Sequence, residues 1–243
     1  MGARGRRRAG ARAKTGGEGA QEEKIILMGA KCHVMRPGRM DYDEAVEKQM
    51  GLVERVRADK GLAFLLLLSH DHVFTIGRFG SRDNFLVPQD VLKERGAIVR
   101  RIRRGGDVTY HGPGQVVGYP ILSLSHRGLN IRRYFTKLED TLINVLSRYG
   151  IAGRHDAEYP GVWAGEEKVA AIGVGVTKWI AFHGFALNVN TDLSYFDMIV
   201  PCGITRKRVT SMAKILGHPL DEEEVVQAVE EEFLREFQMQ KSE

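Results

Sequence analysis

The residues best suited to chemistry begin with a glycine-rich stretch that runs from residue 103 to residue 120. Five glycines stand there among side chains that can form hydrogen bonds, including an aspartate, a threonine, a tyrosine, a histidine and a glutamine. Glycine lets the backbone approach a ligand closely or adopt a positive φ. Residues 115–122 have the apolar pattern of a buried strand. A polar loop anchored on a rigid strand favours a binding site, although an ordinary glycine-rich hairpin has the same composition.

A lysine and a cysteine further along the chain complete the set of reactive candidates. Lys168 follows two glutamates and precedes small residues, which would leave room for a substrate beside its ammonium group. Cys202 lies between a proline and a glycine, where a tight turn could expose its sulfur. Cys32 lies in a strand-like run and is expected to be buried, as free cysteines usually are. In isolation, a surface lysine and a buried cysteine remain the simpler interpretations of Lys168 and Cys202.

Together, this lysine and cysteine would suit acyl transfer from a thioester. A thiolate is the nucleophile that accepts an acyl group, and the pKa of a free cysteine thiol is ~8.5. A nearby ammonium group lowers the pKa of the thiol because it stabilises the charged sulfur. Since Lys168 and Cys202 are 34 positions apart in the sequence, only the tertiary structure could bring the two side chains together.

Four segments of the chain carry a resemblance to a known family. They are R-G-G-D-V-T-Y-H-G-P-G-Q at 104–115, K-V-A-A-I-G at 168–173, F-H-G-F-A-L-N-V-N at 182–190 and P-C-G-I at 201–204. In order and spacing they resemble the octanoyltransferases of lipoate biosynthesis, which move an octanoyl group from acyl carrier protein to a lysine of lipoyl domains. A further segment departs from the family, which often has Glu-His-Pro-Pro where this chain has Ser69 and no proline, but Thr75, Gly77 and Arg78 match.

The resemblance assigns roles to the reactive residues. It implies that Cys202 carries the octanoyl thioester, and that Lys168 lowers the pKa of this thiol and shuttles protons. For His111 it leaves open a part in proton transfer or a structural hydrogen bond. The implied acyl pocket comprises Arg104, Gly105, Gly106, Asp107, Val108, Thr109, Tyr110, His111, Ala171, Ile172, Gly173, Gly184, Phe185 and Ala186.

The resemblance also implies what the protein binds. The thioester supplies the energy of the reaction, so no ATP, metal or other cofactor is expected. The donor would be octanoyl-acyl carrier protein. The acceptors would be lipoyl domains of 2-oxoacid dehydrogenases and of glycine cleavage H-type proteins. Neither nucleic acid nor a membrane is expected as a partner.

The secondary-structure pattern lacks a regular strand–helix–strand repeat, which favours an α+β fold. The resemblance implies a biotin/lipoate protein ligase-like architecture, with a mixed, largely antiparallel central sheet flanked by helices. Helices are predicted to begin at the capping residues Asp41, Asn130 and Asp221, and a short helix is predicted over 91–96. Strands are predicted at 24–34, 62–68, 98–103, 115–122, 162–164, 168–176 and 180–189, with a turn at 36–38 and a short strand after the loop that begins at residue 69.

The first residues of the chain differ in composition from the rest. Residues 1–23 hold six basic and three acidic side chains, with no large apolar residue after Met1. Such a segment cannot form a core, so we predict a disordered basic tail at 1–23 and a single catalytic domain at 24–243. The tail has no apolar run of the secretory type. Two cysteines do not make a disulfide framework, and a cytoplasmic protein is predicted, with an organelle address left open.

Three other functions fit parts of the sequence. An ATP-dependent lipoate or biotin ligase would share the fold, the basic glycine-rich segment and the lysine, but would not need a nucleophilic cysteine. A nucleic-acid-binding protein could use the arginines of the tail. A non-catalytic lipoyl-binding relative would not need both Lys168 and Cys202.

Overall fold

The computed structural model describes residues 30–200 and 208–242, which form two β-sheets and five α-helices. The strands are β1 (Ala30–Arg39), β2 (Ala63–Ser69), β3 (Val73–Ile76), β4 (Ile98–Arg101), β5 (Val108–His111), β6 (Gln115–Ser123), β7 (Gly153–Arg154), β8 (Val162–Ala164), β9 (Glu167–Thr177), β10 (Ile180–Asn188), β11 (Arg208–Val209) and β12 (Met239–Lys241). The helices are α1 (Tyr42–Ala58), α2 (Gln89–Glu94), α3 (Ile131–Arg148), α4 (Met212–Leu216) and α5 (Glu222–Glu236), and 3-10 turns lie at Arg82–Asn84 and Leu193–Met198. The predicted tail at 1–23 and Cys202 lie outside the described residues.

The large sheet has the strand order β12-β1-β2-β6-β10-β9-β8-β7, with β11 beside β9. Strand β1 is parallel to β12 and β2, and β11 is parallel to β9, whereas the other neighbouring strands are antiparallel. The small sheet has the order β4-β3-β5. These pairings confirm the predicted α+β class with a mixed, largely antiparallel central sheet, and they confirm the run of antiparallel strands β8, β9 and β10.

The centre of the large sheet is buried on both faces. In β2, Leu65 and Leu67 belong to one hydrophobic core, and Phe64, Leu66 and Leu68 belong to the other. This alternation follows from the two-residue period of a strand, and it explains why the sequence of β2 is a continuous apolar run. Helices α3 and α5 cover the first face, and α1 covers the second.

The three predicted capping residues begin their helices. The side chain of Asp41 accepts hydrogen bonds from the backbone N–H groups of Asp43 and Glu44. Asn130 accepts from the N–H of Arg133, and Asp221 caps α5 in the same way. Because a cap satisfies N–H groups that have no partner within the helix, these residues fix where α1, α3 and α5 start.

Two local predictions were wrong. The predicted turn at 36–38 lies within β1, where the pairing with β2 shifts register between Met35 and Gly38. A bulge accommodates the missing N–H of Pro37 and the φ of 76° at Gly38 without ending the strand. The glycine-rich stretch was interpreted as a loop, but its residues 108–111 form β5 of the small sheet. Residues 24–29 of the first predicted strand lie outside the described residues.

Gly118 offers a test of how tightly the central strands pack. A Cβ at Gly118 would overlap the ring of Phe185, its partner across β6 and β10. We therefore expect Gly118→Ala to lower the free energy of unfolding by about 1–3 kcal/mol, measured by urea denaturation. Gly51→Ala is the matched control, since nothing lies within 4 Å of the added carbon. Alanine in the middle of α1 should raise stability by up to about 1 kcal/mol, and equal effects of the two substitutions would contradict this account.

Candidate active site

A cavity of about 220 Å³ lies between the glycine-rich segment 104–111 and strands β9 and β10. Pockets for drug-sized molecules usually measure ~300–1,000 Å³, so this cavity suits a smaller ligand. Its wall contains most of the residues that the sequence singled out, namely Arg104, Gly105, Gly106, Asp107, Val108, Thr109, His111, Lys168, Ala171, Ile172, Gly173, Gly184, Phe185 and Ala186. Residues more than 60 positions apart in sequence are thus brought to one place, as the predicted pocket requires.

Two of the predicted site residues, Tyr110 and Cys202, are not among these wall residues. Tyr110 is fully buried in the core of the small sheet, where it stacks on Tyr195 and its hydroxyl group is 2.7 Å from Nδ1 of His72. Its neighbours Thr109 and His111 line the cavity, and successive side chains of a strand point to opposite faces. Tyr110 therefore supports the wall from behind. Cys202 lies outside the described residues.

Backbone hydrogen bonds hold the segment 104–107 against the two sheets. The N–H groups of Gly77, Arg78 and Phe79 donate to the carbonyl oxygens of Asp107, Arg104 and Gly106, over 3.0–3.1 Å. On the other side, the N–H of Gly105 donates to the carbonyl oxygen of Val174, on β9, over 2.9 Å. A Cβ at Gly77 would overlap the backbone of Gly106. Glycine at position 77 is therefore needed for the wall to pack this closely.

Arg104 is buried, and its guanidinium group is bound by neighbouring polar groups. Its Nη2 donates to the carbonyl oxygen and the hydroxyl group of Thr75, over 2.7 and 2.8 Å. Its Nη1 donates to the carbonyl oxygen of Gly105 over 2.9 Å. A Cβ at Gly173 would lie 2.9 Å from Cδ of Arg104. Thr75 and Gly173 therefore fix a positive charge in the wall of the cavity.

His111 belongs to a chain of buried hydrogen bonds that joins both sheets. The side-chain amide nitrogen of Gln115 donates to Oδ1 of Asn188 over 2.9 Å. The amide oxygen of Gln115 therefore faces His111 and accepts from Nδ1 of that ring over 2.8 Å. Asn188 in turn donates to the carbonyl oxygen of Thr210 over 3.0 Å. Burial, together with the neighbouring His70 ring, lowers the pKa of His111 to about 3. The ring is therefore neutral at physiological pH, which favours the structural role over proton transfer.

Two further histidines lie next to His111 and are also neutral. The Nδ1 of His70 donates to the carbonyl oxygen of Met40, and its Nε2 accepts from the hydroxyl group of Tyr119, both over 2.8 Å. Burial lowers the pKa of His70, and it lowers the pKa of His183 to about 4 with a contribution from Arg104. His183 lines the cavity with a φ of 55°, a conformation that strains a residue other than glycine.

Lys168 lies near the start of β9, beside strands β8 and β11. Its Nζ donates to the carbonyl oxygen of Pro160 over 3.0 Å and lies 4.9 Å from the centre of the Trp163 ring. Its carbonyl oxygen accepts from the N–H of Thr210 over 2.9 Å. The ammonium group is thus held at the cavity by a carbonyl dipole and an aromatic face, two environments that favour a positive charge.

The described residues that follow 201–207 line the cavity, and the residue before this segment connects to the cavity wall through hydrogen bonds. Arg208 lines the cavity, and Val209 pairs with Lys168. On the other side, the N–H of Val200 donates to the carbonyl oxygen of Asn84 over 2.8 Å. The side chain of Asn84 donates to the carboxylate of Asp107, which is part of the wall.

The sequence interpretation missed twelve lining residues. They are Tyr42, Gln115, Tyr119, Phe135, Tyr159, Pro160, Trp163, His183, Asn188, Phe196, Arg208 and Val209. Gln115, His183 and Asn188 lie inside the segments that carry the family resemblance, so their polar side chains were an available signal. Tyr42 and Phe135 come from α1 and α3, and nothing in their local sequence distinguishes them from core residues.

Among the residues that the structure describes, no group of three or more histidine, cysteine, aspartate or glutamate side chains could hold a metal ion. None of the helices in the described ranges is long and apolar enough to cross a membrane.

Two solved structures share the fold of this chain. Lipoate-protein ligase A bound with ATP superposes with a TM-score of 0.70 at 20% identity, covering 89% of this chain and 88% of that one. Ta0514, a lipoate protein ligase homologue from T. acidophilum with bound lipoic acid, gives a TM-score of 0.68 at 20% identity, covering 88% of both chains. At this identity the likeness concerns the fold alone, and it confirms the ligase-like architecture that the sequence predicted.

Sequence comparison identifies the family. Residues 41–234 match the model of the lipoyl protein ligase A/B catalytic domain. The octanoyltransferase of Desulforamulus reducens is 45% identical over 208 residues, which cover 85% of this chain and 91% of that one. The octanoyltransferase of Solibacter usitatus is 47% identical over 207 residues, with 85% and 91% coverage. The chain therefore belongs to the lipoyl protein ligase A/B catalytic domain family and, within it, to the octanoyltransferases.

Acid is expected to destabilise the fold through the buried histidines. The pKa of His183 is about 4 in the folded state, whereas an unfolded histidine has a pKa near ~6.5. Below pH ~6.5 the unfolded chain binds more protons than the folded one, so the free energy of unfolding falls as the pH drops towards 4. Urea denaturation between pH 7 and pH 4.5 should therefore show a shallower pH dependence for His183→Asn than for the wild type. The same slope for both proteins would contradict the assignment.

Proposed function

We propose that this protein transfers an octanoyl group from octanoyl-acyl carrier protein to a lysine of a lipoyl domain, by way of a thioester on Cys202. The observation that carries the proposal is Lys168 at the edge of a cavity walled by glycines and apolar side chains, in a chain that belongs to the octanoyltransferases. The segment that contains Cys202 is followed by Arg208, which lines this cavity, and by Val209, which lines it and pairs with Lys168. This arrangement supports a tertiary pairing of the two reactive side chains.

In the first half of the proposed reaction, the acyl group moves to the protein. The ammonium group of Lys168 stabilises the thiolate of Cys202. The thiolate attacks the carbonyl carbon of the donor thioester, the new carbon–sulfur bond forms, and the bond to the carrier sulfur breaks. Lys168 donates a proton to the departing thiolate, so the carrier leaves as a free thiol and Lys168 is neutral.

In the second half, the acyl group moves to the acceptor. The neutral amine of the lipoyl lysine attacks the thioester on Cys202, an amide bond forms, and the thiolate of Cys202 leaves. Lys168 accepts the proton that the amine loses, which restores the ammonium–thiolate pair. No atom or electron is left over, and the thioester supplies the driving force.

The wall of the cavity fits an acyl chain as the proposed substrate. Ala171, Gly173 and Gly184 present little or no side chain to the space, which leaves room for methylene groups. Burial of each methylene group contributes about 0.8 kcal/mol, so an eight-carbon chain gains enough free energy to select the substrate by length. Phe135 and Phe185 add apolar surface from the helix and from the sheet.

An ATP-dependent ligase is the alternative, because solved lipoate ligases share the fold. The relatives above 40% identity favour the transferase, since each of those cited is an octanoyltransferase. Incubation with octanoyl-acyl carrier protein and a lipoyl domain in the absence of ATP separates the two. No transfer under these conditions, with transfer from free octanoate once ATP is added, would identify a ligase.

The remaining predictions about the whole protein belong to the same proposal. We propose acceptor domains from 2-oxoacid dehydrogenases and glycine cleavage H-type proteins, and a cytoplasmic location. We also propose that residues 24–243 act as one catalytic domain, for which the basic tail at 1–23 is dispensable. Neither nucleic acid nor a membrane takes part in the proposed reaction.

Substitution of the proposed nucleophile should abolish the covalent intermediate. After incubation with octanoyl-acyl carrier protein, the wild type should gain the mass of one octanoyl group by intact-mass spectrometry, whereas Cys202→Ala should gain none and should not transfer. Cys32→Ala is the matched control, because Cys32 is fully buried and burial raises the pKa of its thiol to about 12. An active Cys202→Ala variant, or loss of the adduct in Cys32→Ala, would overturn the assignment.

Removal of the proposed proton carrier should make the nucleophile less acidic. Without the ammonium group of Lys168, alkylation of Cys202 by iodoacetamide should require a higher pH, by about one to two units. Lys168→Ala tests this expectation in the Cys32→Ala background, so that a single thiol reacts. Lys214→Ala serves as the control, since Lys214 is an exposed lysine that pairs with Glu167, the residue before Lys168. An unchanged alkylation profile in Lys168→Ala would remove Lys168 from this role.

A further inference from the structure

A single peptide group connects Lys168 to a carboxylate on a helix. The Nζ of Lys168 donates to the carbonyl oxygen of Pro160 over 3.0 Å, and the N–H of Gly161 donates to Oε1 of Glu139 over 2.9 Å. The carbonyl of Pro160 and the N–H of Gly161 belong to the same planar peptide unit. Glu139, on α3, is therefore connected to the ammonium group of Lys168, on β9, through one planar peptide group.

The position of this peptide group is fixed from several sides. Gly161 has a φ of 125°, and a Cβ there would lie 2.6 Å from the carbonyl oxygen of Ala170. The indole N–H of Trp163 donates to the carbonyl oxygen of Tyr159 over 3.0 Å, while its ring lies beneath the ammonium group of Lys168. A rotation of the peptide group would break contacts on both neighbouring residues, so the carbonyl oxygen remains directed at Lys168.

The second carboxylate oxygen of Glu139 is bound as well. Nδ1 of His155 lies 2.9 Å from Oε2 of Glu139, and Nε2 of His155 lies 2.9 Å from Oδ1 of Asp140. Burial opposes the charge on this ring, but the hydrogen bonds with both carboxylates outweigh it and raise the pKa of His155. The other charged groups here are Arg154, Asp156 and Glu166, and Arg154 pairs with both acids. His155 thus orients Glu139 from the side opposite Gly161.

We propose that Glu139 is a positioning residue, which holds the ammonium group of Lys168 in place and in its charged form through the Pro160–Gly161 peptide group. Hydrogen bonds in series polarise one another, so a carboxylate on the N–H makes the carbonyl oxygen a stronger acceptor for an ammonium group. A stronger acceptor in turn favours the protonated form of the lysine that donates to it. The inference rests on the proposed function in one respect, namely that Lys168 is the group that stabilises the thiolate and carries the proton.

Two substitutions of Glu139 separate its charge from its hydrogen bond. Glu139→Gln keeps an acceptor oxygen for the N–H of Gly161 but removes the negative charge, whereas Glu139→Ala removes both. Asp140→Asn is the matched control, since it removes one negative charge from the adjacent position beside His155, while Asp140 has no hydrogen bond to the peptide group. Thermal unfolding of the four proteins establishes that each variant is folded.

The first measurement is the titration of Lys168 in the resting protein, followed by NMR of ¹³Cε-labelled lysine and assigned with Lys168→Arg. Glu139→Gln and Glu139→Ala should lower the titration midpoint by up to about one pH unit, whereas Asp140→Asn should stay close to the wild type. A midpoint that is unchanged in both Glu139 variants, or an equal shift in Asp140→Asn, would overturn the proposal.

The second measurement is octanoyl transfer from octanoyl-acyl carrier protein as a function of pH. Glu139→Ala should lose about 10²-fold in kcat with little change in KM, and its alkaline limb should shift to lower pH. Glu139→Gln should recover part of kcat because it keeps the hydrogen bond. Equal activity of Glu139→Ala and the wild type would count against the positioning role. If the wild type transfers no octanoyl group, the proposed function fails, but the titration still decides whether Glu139 controls Lys168.

Discussion

The close approach of backbone to backbone around residues 104–107 is the constraint on which the site depends. This segment is hydrogen-bonded to residues 77–79 on one side and to Val174 on the other. The approach is possible because Gly77 and Gly173 have no side chain to separate the segment from its neighbours. The guanidinium group of Arg104 then fills the space between the sheets and binds Thr75. The cavity lies between this segment and strands β9 and β10.

Buried polar groups around the cavity stabilise one another rather than relying on solvent. The chain from His111 through Gln115 and Asn188 to Thr210 crosses from the small sheet to the large sheet. Because a buried donor or acceptor without a partner costs about 1–3 kcal/mol, each member of the chain fixes the position of the next. His111 is neutral at physiological pH, so the positive charges at the cavity include those of Arg104 and Lys168 but not that of this ring.

The starts of three helices could be predicted from the sequence, because the capping hydrogen bonds that fix them join residues close together in the chain. Asp41, Asn130 and Asp221 began their helices as predicted, since a capping hydrogen bond spans only two or three residues. The bulge at 36–38 could not be predicted, because a proline and a glycine mark a turn or a bulge equally well and the partner strand decides between them.

The candidate site could be predicted only where the residues lie in contiguous motifs. The motif at 104–111 included Tyr110 among the pocket residues, although the alternation of β5 directs this side chain into the core. Phe135 and Tyr42 were missed, because the helices that carry them reach the cavity through tertiary packing. Glu139 was missed for the same reason, since its partner Gly161 is 22 residues away and is bound through the backbone.

The two kinds of wall around the cavity differ in how freely they can evolve. On the sheet side, Gly173 faces Arg104 and Gly184 faces the backbone of Gly118, so larger residues there would displace the scaffold itself. On the helix side, Phe135 is half-buried and borders the cavity from α3 with its side chain. A change of side chain at Phe135 therefore alters the length of ligand that the cavity accepts without displacing the sheet, whereas a larger residue at Gly173 or Gly184 would displace it.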